Sequence, residues 1–400
     1  IVAVTFTNKA ASELRVRLDA LIGQASSSSL ILGTFHSICG RLLRKYGSAI
    51  QIPTNFSICD ADESKKIINR ILKDIVATSG SHASGNQKSE LKDSIALELI
   101  SKAKAKGLNP EELEAKVRRD IQANVTVPKG ETNPHVMLQL VPVYSQYIDE
   151  CKRHNALDFD DLLAYGVKLL KARPDCVDCQ HVFVDEFQDT NTVQFELMAK
   201  LAGKNGNVSI VGDPDQSIYG WRSAEIENLR RMITIFPLTK QIFLEDNYRS
   251  TGAILAASIA IISEDSNRPP KTLRTSHPFG FAPTLGGCAD EREEAACIAD
   301  EIKRLKTLSG GMLKWSDFAV LLRFNALSRN LEQALQKEGI PSRVLAGQKF
   351  FDRVEVKDLL AYLQLIDNPE FDPAVLRIIN VPKRNIGNKV ELRAKTLIHN

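Results

Sequence analysis

The sequence predicts an α/β fold built on parallel sheets, in two halves, with an all-helical insertion in the first. Short apolar runs recur along the chain, each leading into a polar loop and then an amphipathic helical stretch. Runs of this length suit strands buried on both faces, and their alternation with helices calls for parallel pairing. The pattern breaks once, over about residues 60–154, where helical spacing alone persists.

The elements follow in order. Residues 1–4 run into Thr5-Phe6-Thr7-Asn8-Lys9 and a helix over 10–22. Residues 30–32 run into Gly33-Thr34-Phe35-His36-Ser37 and a helix to about Tyr46. In the insertion, Ile67, Ile68, Ile71, Leu72 and Ile75 keep helical spacing, the polar stretch 78–89 reads as a loop, and helices are expected near 91–106 and 136–153. Residues 181–184 run into Asp185-Glu186-Phe187-Gln188-Asp189 and a helix over 193–201. Residues 208–211 precede Gly212-Asp213-Pro214-Asp215-Gln216, and 241–244 precede Asn247-Tyr248-Arg249-Ser250. The second half predicts helices near 291–306, 328–338 and 354–365, with strands at 318–322 and 342–345. Parallel sheets bind ligands at the carboxyl ends of their strands, so these polar loops are expected to crowd one edge as one candidate site.

The chain's 400 residues, 43% hydrophobic and 25% charged, suffice for two to four domains and argue against global disorder. With 52 Lys+Arg against 49 Asp+Glu, no basic blanket coats the protein, so nucleic-acid binding requires a local groove. Seven irregularly spaced Cys point to a reducing compartment rather than a disulfide scaffold. The longest strongly apolar stretch, 253–262, falls far short of the roughly 20 residues of a membrane span, so no membrane partner is expected. The chain opens on Ile1, already in a strand, and ends without a stop signal, which reads as a fragment cut at both ends.

Adjacent carboxylates at a strand end, Asp185 and Glu186, suit metal-assisted phosphoryl chemistry: one holds Mg²⁺, the other acts as base on the attacking water. A bare pair also fits a solvated turn. Gln216, at the next strand end, can sense a phosphate oxygen or its attacking water. Tyr219 and Trp221 can stack on bases, worth roughly 1–3 kcal/mol each, or sit in the core.

Several runs closely resemble the UvrD/Rep/PcrA-type superfamily-one helicases: VTFTNKAA (4–11), DEFQDTN (185–191), VGDPDQSIYGWR (211–222) and LEDNYRST (244–251). TFHS (34–37), LDFDDL (157–162), LRFNALSR (322–329) and FFDRVEVKD (350–358) do so as well, in family order across nearly the whole chain. The helical insertion leans toward the fungal, anti-recombinase branch. The resemblance implies two RecA-like domains of P-loop NTPase type, with ATP between them and single-stranded DNA across their tops. It implies ATP-driven 3′ to 5′ translocation and unwinding, in repair, recombination or replication. It divides the chain into a first RecA-like domain (1–59 and 155–249), a helical inserted domain (60–154), a second RecA-like domain (250–384) and the start of a second insertion (385–400).

Residue by residue, the resemblance implies that Asp185 holds Mg²⁺ and that Glu186 is the catalytic base. Gln188 and Gln216 would line the ATP cleft, with Gln216 coupling nucleotide state to DNA. Arg249 would reach the γ-phosphate, where a guanidinium stabilises charge on the transferring group. Phe6, Thr7, Asn8, His36, Phe159, Tyr219, Trp221, Arg222, Arg323 and Asn325 match positions near DNA. Phe6, among Thr5, Thr7, Asn8 and Lys9, has a suitable mix of stacking and phosphate-binding neighbours. Phe159 lies between Asp158, Asp160 and Asp161, which suits helix packing as well, and His36 suits a structural histidine as well. The implied partners are single-stranded DNA, single/double-strand junctions and, as a further target, recombinase filaments. The implied location is the nucleus in a eukaryote or the cytoplasm and nucleoid in a bacterium.

Phe187 departs from the family's usual Tyr, and Gly220 from a common basic residue. No G-x-x-x-x-G-K-[ST] phosphate loop occurs in the chain, so that loop is expected upstream and the fragment alone is expected to be inactive. Two other readings are a non-catalytic single-strand-binding module and the motor part of a helicase–nuclease. Cys176, Cys179 and His181, with Cys151 and His154 upstream, resemble part of a zinc site, but no second C-x-x-C exists, so free thiols near the surface are expected. Lys102, Lys104, Lys106, Arg118 and Arg119 read as a solvated helix face, with duplex phosphates as the alternative.

Overall fold

In the computed structural model, the apolar run at the head of the chain forms β1 (Val2–Thr5). It pairs in parallel with β2 (Ile31–Thr34) on one side and with β5 (Val182–Val184) on the other, and β6 (Val208–Ile210) completes the order β2-β1-β5-β6. The structure describes residues 1–79, 91–123, 132–203, 206–218, 220, 227–265, 268, 271–345 and 353–387. The chain divides into two compact units, Ile1–Ile242 with Asp358–Asn400, and Phe243–Lys357.

In the first unit, α1 (Asn8–Ile22), followed by the short α2 (Gln24–Ser28), covers Ala3 and Leu32 on one face of the sheet. The opposite face carries Val2, Val4, Val182 and Val184, all buried with α3 (Phe35–Tyr46), α8 (Phe159–Ala172) and α9 (Thr192–Ala202). Apart from α2, each of these helices starts on a polar cap. Thr7 caps α1 and Thr34 caps α3, while Asp158 with Asp161 and Asn191 with Gln194 form capping boxes.

The approach of α8 to α3 at Cys39 depends on Gly166. A Cβ there would lie 2.5 Å from Cys39 Sγ and 3.2 Å from Cys39 Cβ. Gly166→Ala is therefore expected to destabilise the fold by about 1–3 kcal/mol through overpacking. An unchanged urea midpoint would show that the two helices separate at no cost.

The insertion departs and returns through a parallel strand pair, β3 (Ser57–Ile58) and β4 (Ala156–Leu157). Its helices are α4 (Ala61–Ser79), α5 (Asp93–Ala105), α6 (Pro110–Gln122) and α7 (Pro134–Arg153). The helices expected near 91–106 and 136–153 are α5 and α7. The expected loop over 78–89 lies outside the described residues from position 80 onward. The sequence reading overlooked α6, although Asn109, Pro110 and Glu112 are a complete start signal. Of its residues only Pro110, Leu113 and Val117 are buried, which leaves a weak periodic pattern.

The insertion has its own core around Ile68, Ile100, Leu140 and Tyr147, and Phe371 and Ala374 pack into it. Fully buried Asn368 brings Nδ2 within 3.0 Å of Ser57 Oγ, 3.1 Å of His154 O and 3.0 Å of Asn155 O. That amide ties the end of α14 (Val354–Asp367) and the start of α15 (Asp372–Ile378) to the β3–β4 junction. In the same unit α10 (Glu227–Ile235) packs on the turn after β5.

The second unit holds β7 (Asp246–Asn247) and β8 (Arg274–Thr275), again parallel, with α11 (Gly252–Ile262), α12 (Glu291–Leu308) and α13 (Ser328–Lys337). Its core is Ala295, Ala299, Ile302, Leu331, Leu335 and Ile340. The strands expected at 241–244, 318–322 and 342–345 are not formed among the described residues. Ile242 and Leu321 are instead exposed. A strand buried on both faces exists only where neighbours supply ladder bonds and helices supply cover; without them an apolar run stays extended but unpaired. No helix among the described residues is long and apolar enough to cross a membrane.

Candidate nucleotide and nucleic-acid site

Because β2, β1, β5 and β6 are parallel, their carboxyl ends share one edge. That edge gathers Phe6, Thr7 and Asn8 after β1, His36 after β2, Asp185, Glu186 and Gln188 after β5, and Gln216 after β6. Arg249, Arg323 and Asn325 belong to the second unit, where all three are exposed. Tyr219, Trp221 and Arg222 lie outside the described residues.

The Asp185 backbone N–H donates to Val4 O (2.9 Å), continuing the ladder, and its Oδ1 accepts from the Glu186 N–H (3.0 Å). Glu186 then takes a left-handed conformation, φ +53°, which costs a non-glycine residue about 1–2 kcal/mol. This turn leaves both carboxylates exposed and brings Glu186 to Gln188. Gln188 is 2% exposed; its Nε2 donates to Glu186 Oε2 (2.7 Å) and its Oε1 accepts from the Asp213 N–H (3.0 Å). One amide thus holds the acidic pair and the following strand-end loop in register. Gly212 permits the approach, since a Cβ there would lie 2.8 Å from Gln188 Oε1 and 3.1 Å from Phe187 N. Gln216 is placed by its own loop, with Nε2 donating to Asp213 Oδ2 (2.7 Å).

Asp189, one turn on, is 8% exposed, and its Oδ1 has no hydrogen-bond partner among the described residues. Burial and, after it, the Glu186 charge raise its carboxyl above the ordinary value. Mg²⁺ takes one or two carboxylates alongside water and substrate phosphates. The exposed Asp185 carboxylate fits that role, with Glu186 turned toward Gln188 beside it.

On the nucleic-acid side, Phe159 is the first residue of α8 and 51% exposed. Its ring stands edge to face with His36, centroids 6.1 Å apart and planes at 84°. Its acidic neighbours face inward. Lys104 Nζ donates to Asp158 Oδ2 and Asp161 Oδ1, each at 2.6 Å, and Asp160 Oδ2 accepts from Ser101 Oγ at 2.6 Å. Phe159 is thus half-exposed and in ring contact with His36 of α3, while its acidic neighbours turn toward α5.

Lys104 corrects the sequence reading. It is 5% exposed and available neither to solvent nor to phosphates. The Tyr147 hydroxyl, 3.0 Å from Asp158 Oδ2 and 2.9 Å from Ser64 Oγ, closes the cluster. Burial opposes the Lys104 charge, yet the two aspartates outweigh it and hold the ammonium well above its ordinary value. Burial likewise opposes ionisation of Asp158, but Lys104 and the hydrogen bonds around it keep that carboxyl low. Asp161 is pushed up to about 7 by burial and by the Asp158 charge, and Asp160 to about 6 by the same two causes. A signal for Lys104 was present: it falls one turn after buried Ile100, on the apolar stripe of α5. Lys102 and Arg118 do lie on exposed faces, paired with Glu98 and Glu114.

Cys179 is buried rather than near the surface, its Sγ donating to His181 O at 3.2 Å, while Cys176 is half-buried. Cys151 and His154 are buried in the helical insertion. No group of three or more metal-ligating side chains occurs among the described residues.

A parallel sheet that gathers an acidic pair and an amide clamp at one edge, with the exposed Phe159 ring against His36, has the layout of a nucleotide-driven motor acting on nucleic acid. The chain belongs to the UvrD/REP helicase family: the UvrD/REP helicase N-terminal domain matches residues 1–237, and the UvrD-like helicase C-terminal domain matches residues 242–395. It is 40% identical over 388 residues to the ATP-dependent DNA helicase srs2 of Schizosaccharomyces pombe, covering 97% of this chain and 43% of that one. It is 38% identical over 392 residues to the ATP-dependent DNA helicase PcrA of Staphylococcus epidermidis, covering 97% of this chain and 50% of that one. The PcrA of Staphylococcus aureus matches to the same extent. The chain spans about half the length of these curated relatives, and the fungal and bacterial identities nearly coincide.

Proposed function

We propose that this chain carries the central motor segments of an ATP-dependent 3′ to 5′ DNA helicase or translocase acting in repair or recombination. The observation that carries this reading is the Gln188 amide, which bridges Glu186 and the Gly212–Gln216 loop at the sheet edge. Asp185 holds the Mg²⁺, which when bound neutralises charge on the β- and γ-phosphates. Glu186 takes the proton of the attacking water, Gln216 reports nucleotide state to the DNA side, and Arg249 stabilises charge on the γ-phosphate. Phe6, Phe159, Tyr219 and Trp221 stack on bases. Thr7, Asn8, His36, Arg222, Arg323 and Asn325 contact the DNA strand. Junctions and recombinase filaments are the further targets, and the site of action is the nucleus in a fungal host or the nucleoid in a bacterial one. The relatives' own description as ATP-dependent DNA helicases supports this reading.

Phe159→Ala in the full-length protein should weaken single-strand binding by roughly 1–3 kcal/mol, the worth of one stacked base. Fluorescence anisotropy on a labelled oligothymidylate measures it, and an unchanged Kd would remove Phe159 from the DNA path.

A further inference from the structure

We propose that Lys104 is a positioning residue for the Phe159–His36 pair, through which the helical insertion sets the grip on a single strand. The proposal rests on the reading of Phe159 as a base-stacking residue. Its geometry is independent of that reading. Phe159 is tied to α5 on both flanks: Lys104 Nζ holds Asp158 on one side, and Ser101 Oγ holds Asp160 on the other, each at 2.6 Å. Lys104 also holds Asp161, whose backbone N–H donates to Asp158 Oδ1 (2.8 Å) to close the capping box. The first turn of α8 is thus fixed from outside its own helix.

Further elements of the insertion converge on the same point. Tyr147 of α7 reaches Asp158, and Ser64 of α4 reaches the Tyr147 hydroxyl. The Lys104 ammonium also lies 5.1 Å from the centre of the Tyr147 ring. An ammonium buried between two carboxylates tolerates little displacement, because moving it strands charges in a dry site. Any shift of α5 against the sheet is therefore delivered to the backbone on either side of Phe159. An apolar residue at position 104 would fill the same space without transmitting that constraint.

A double-mutant cycle in the full-length protein separates positioning from bulk stability. The variants are Phe159→Ala, Lys104→Met and the two combined. The readouts are melting temperature, the single-strand concentration that half-saturates ATPase, and turnover at saturating DNA. Lys104→Met is expected to raise the half-saturating concentration at least about fivefold, with turnover at saturation within about twofold of wild type. The combined variant should bind no more weakly than Phe159→Ala alone, because the lysine acts through that ring. Additive losses, or normal DNA dependence in Lys104→Met beside a weakened Phe159→Ala, would overturn the role of Lys104. Normal DNA binding by Phe159→Ala would instead remove the stacking reading, and the proposal with it. Ser101→Ala deletes the other flank without exposing a charge, so it serves if Lys104→Met does not fold. It should show the same non-additivity with a smaller shift, and additivity there would equally refute the proposal.

Discussion

Glu186→Gln lowers the DNA-stimulated ATP turnover of the full-length protein by about 10²–10⁴-fold, the span expected for loss of a general base, while ATP binding stays within about twofold. The substitution is nearly isosteric, so the left-handed turn at position 186 and the contact to Gln188 Nε2 persist, through an amide oxygen in place of a carboxylate. What disappears is the ability to accept a proton. Gln188→Ala should have a smaller effect of a different kind. It frees Glu186 and removes the acceptor of the Asp213 N–H together, so turnover falls and its dependence on DNA is blunted. Steady-state ATPase assays and titration with a fluorescent ATP analogue measure both variants. Near-normal turnover in Glu186→Gln would exclude it as the base.

The first unit was legible in the sequence because its information is local. Val2, Val4, Val182 and Val184 belong to short apolar runs, and Thr7, Thr34 and Asn191 are cap residues at the expected helix starts. Parallel pairing then brings Asp185, Gln188 and Gln216 to one edge without further assumption. Lys104 was legible only in part: its place on the apolar stripe of α5 signals burial, but its partner Asp158 stands 54 residues away and spacing cannot name it. Phe159 was ambiguous for the same reason: flanking acids read as a polar face until their partners are known. The apolar runs at 241–244, 318–322 and 342–345 were read as strands, yet strand formation depends on neighbours that periodicity does not report. Arg249 was joined to the acidic pair by resemblance alone, and the fold places it in the second unit.

The buried cluster makes a sharper demand than stability alone, because its two aspartates should respond unequally to the same change. Asp158→Asn should cost about 3–5 kcal/mol, as breaking a buried ion pair does, because Lys104 loses the carboxylate that stays ionised. Asp161→Asn should cost less than Asp158→Asn, because burial and the Asp158 charge raise the Asp161 carboxyl and its ionised form contributes less, although the amide sets a donor against Lys104 Nζ or the Asp158 N–H. The sign of the pH dependence follows. The folded-state value for Asp161 is about 7 against an ordinary 3.8, so the folded protein keeps a proton that the unfolded chain releases. That contribution is complete below pH 3.8 and is lost as pH rises through 7. Asp158, held below its ordinary value, contributes stability above that value and loses it as pH falls. Urea unfolding of the full-length protein at about pH 5.5 and about pH 8 tests both claims. Asp161→Asn should gain on wild type between the two conditions, while Asp158→Asn should remain well below wild type in both. Equal losses for the two variants at both pH values would mean that Lys104 is shared evenly between the two carboxylates.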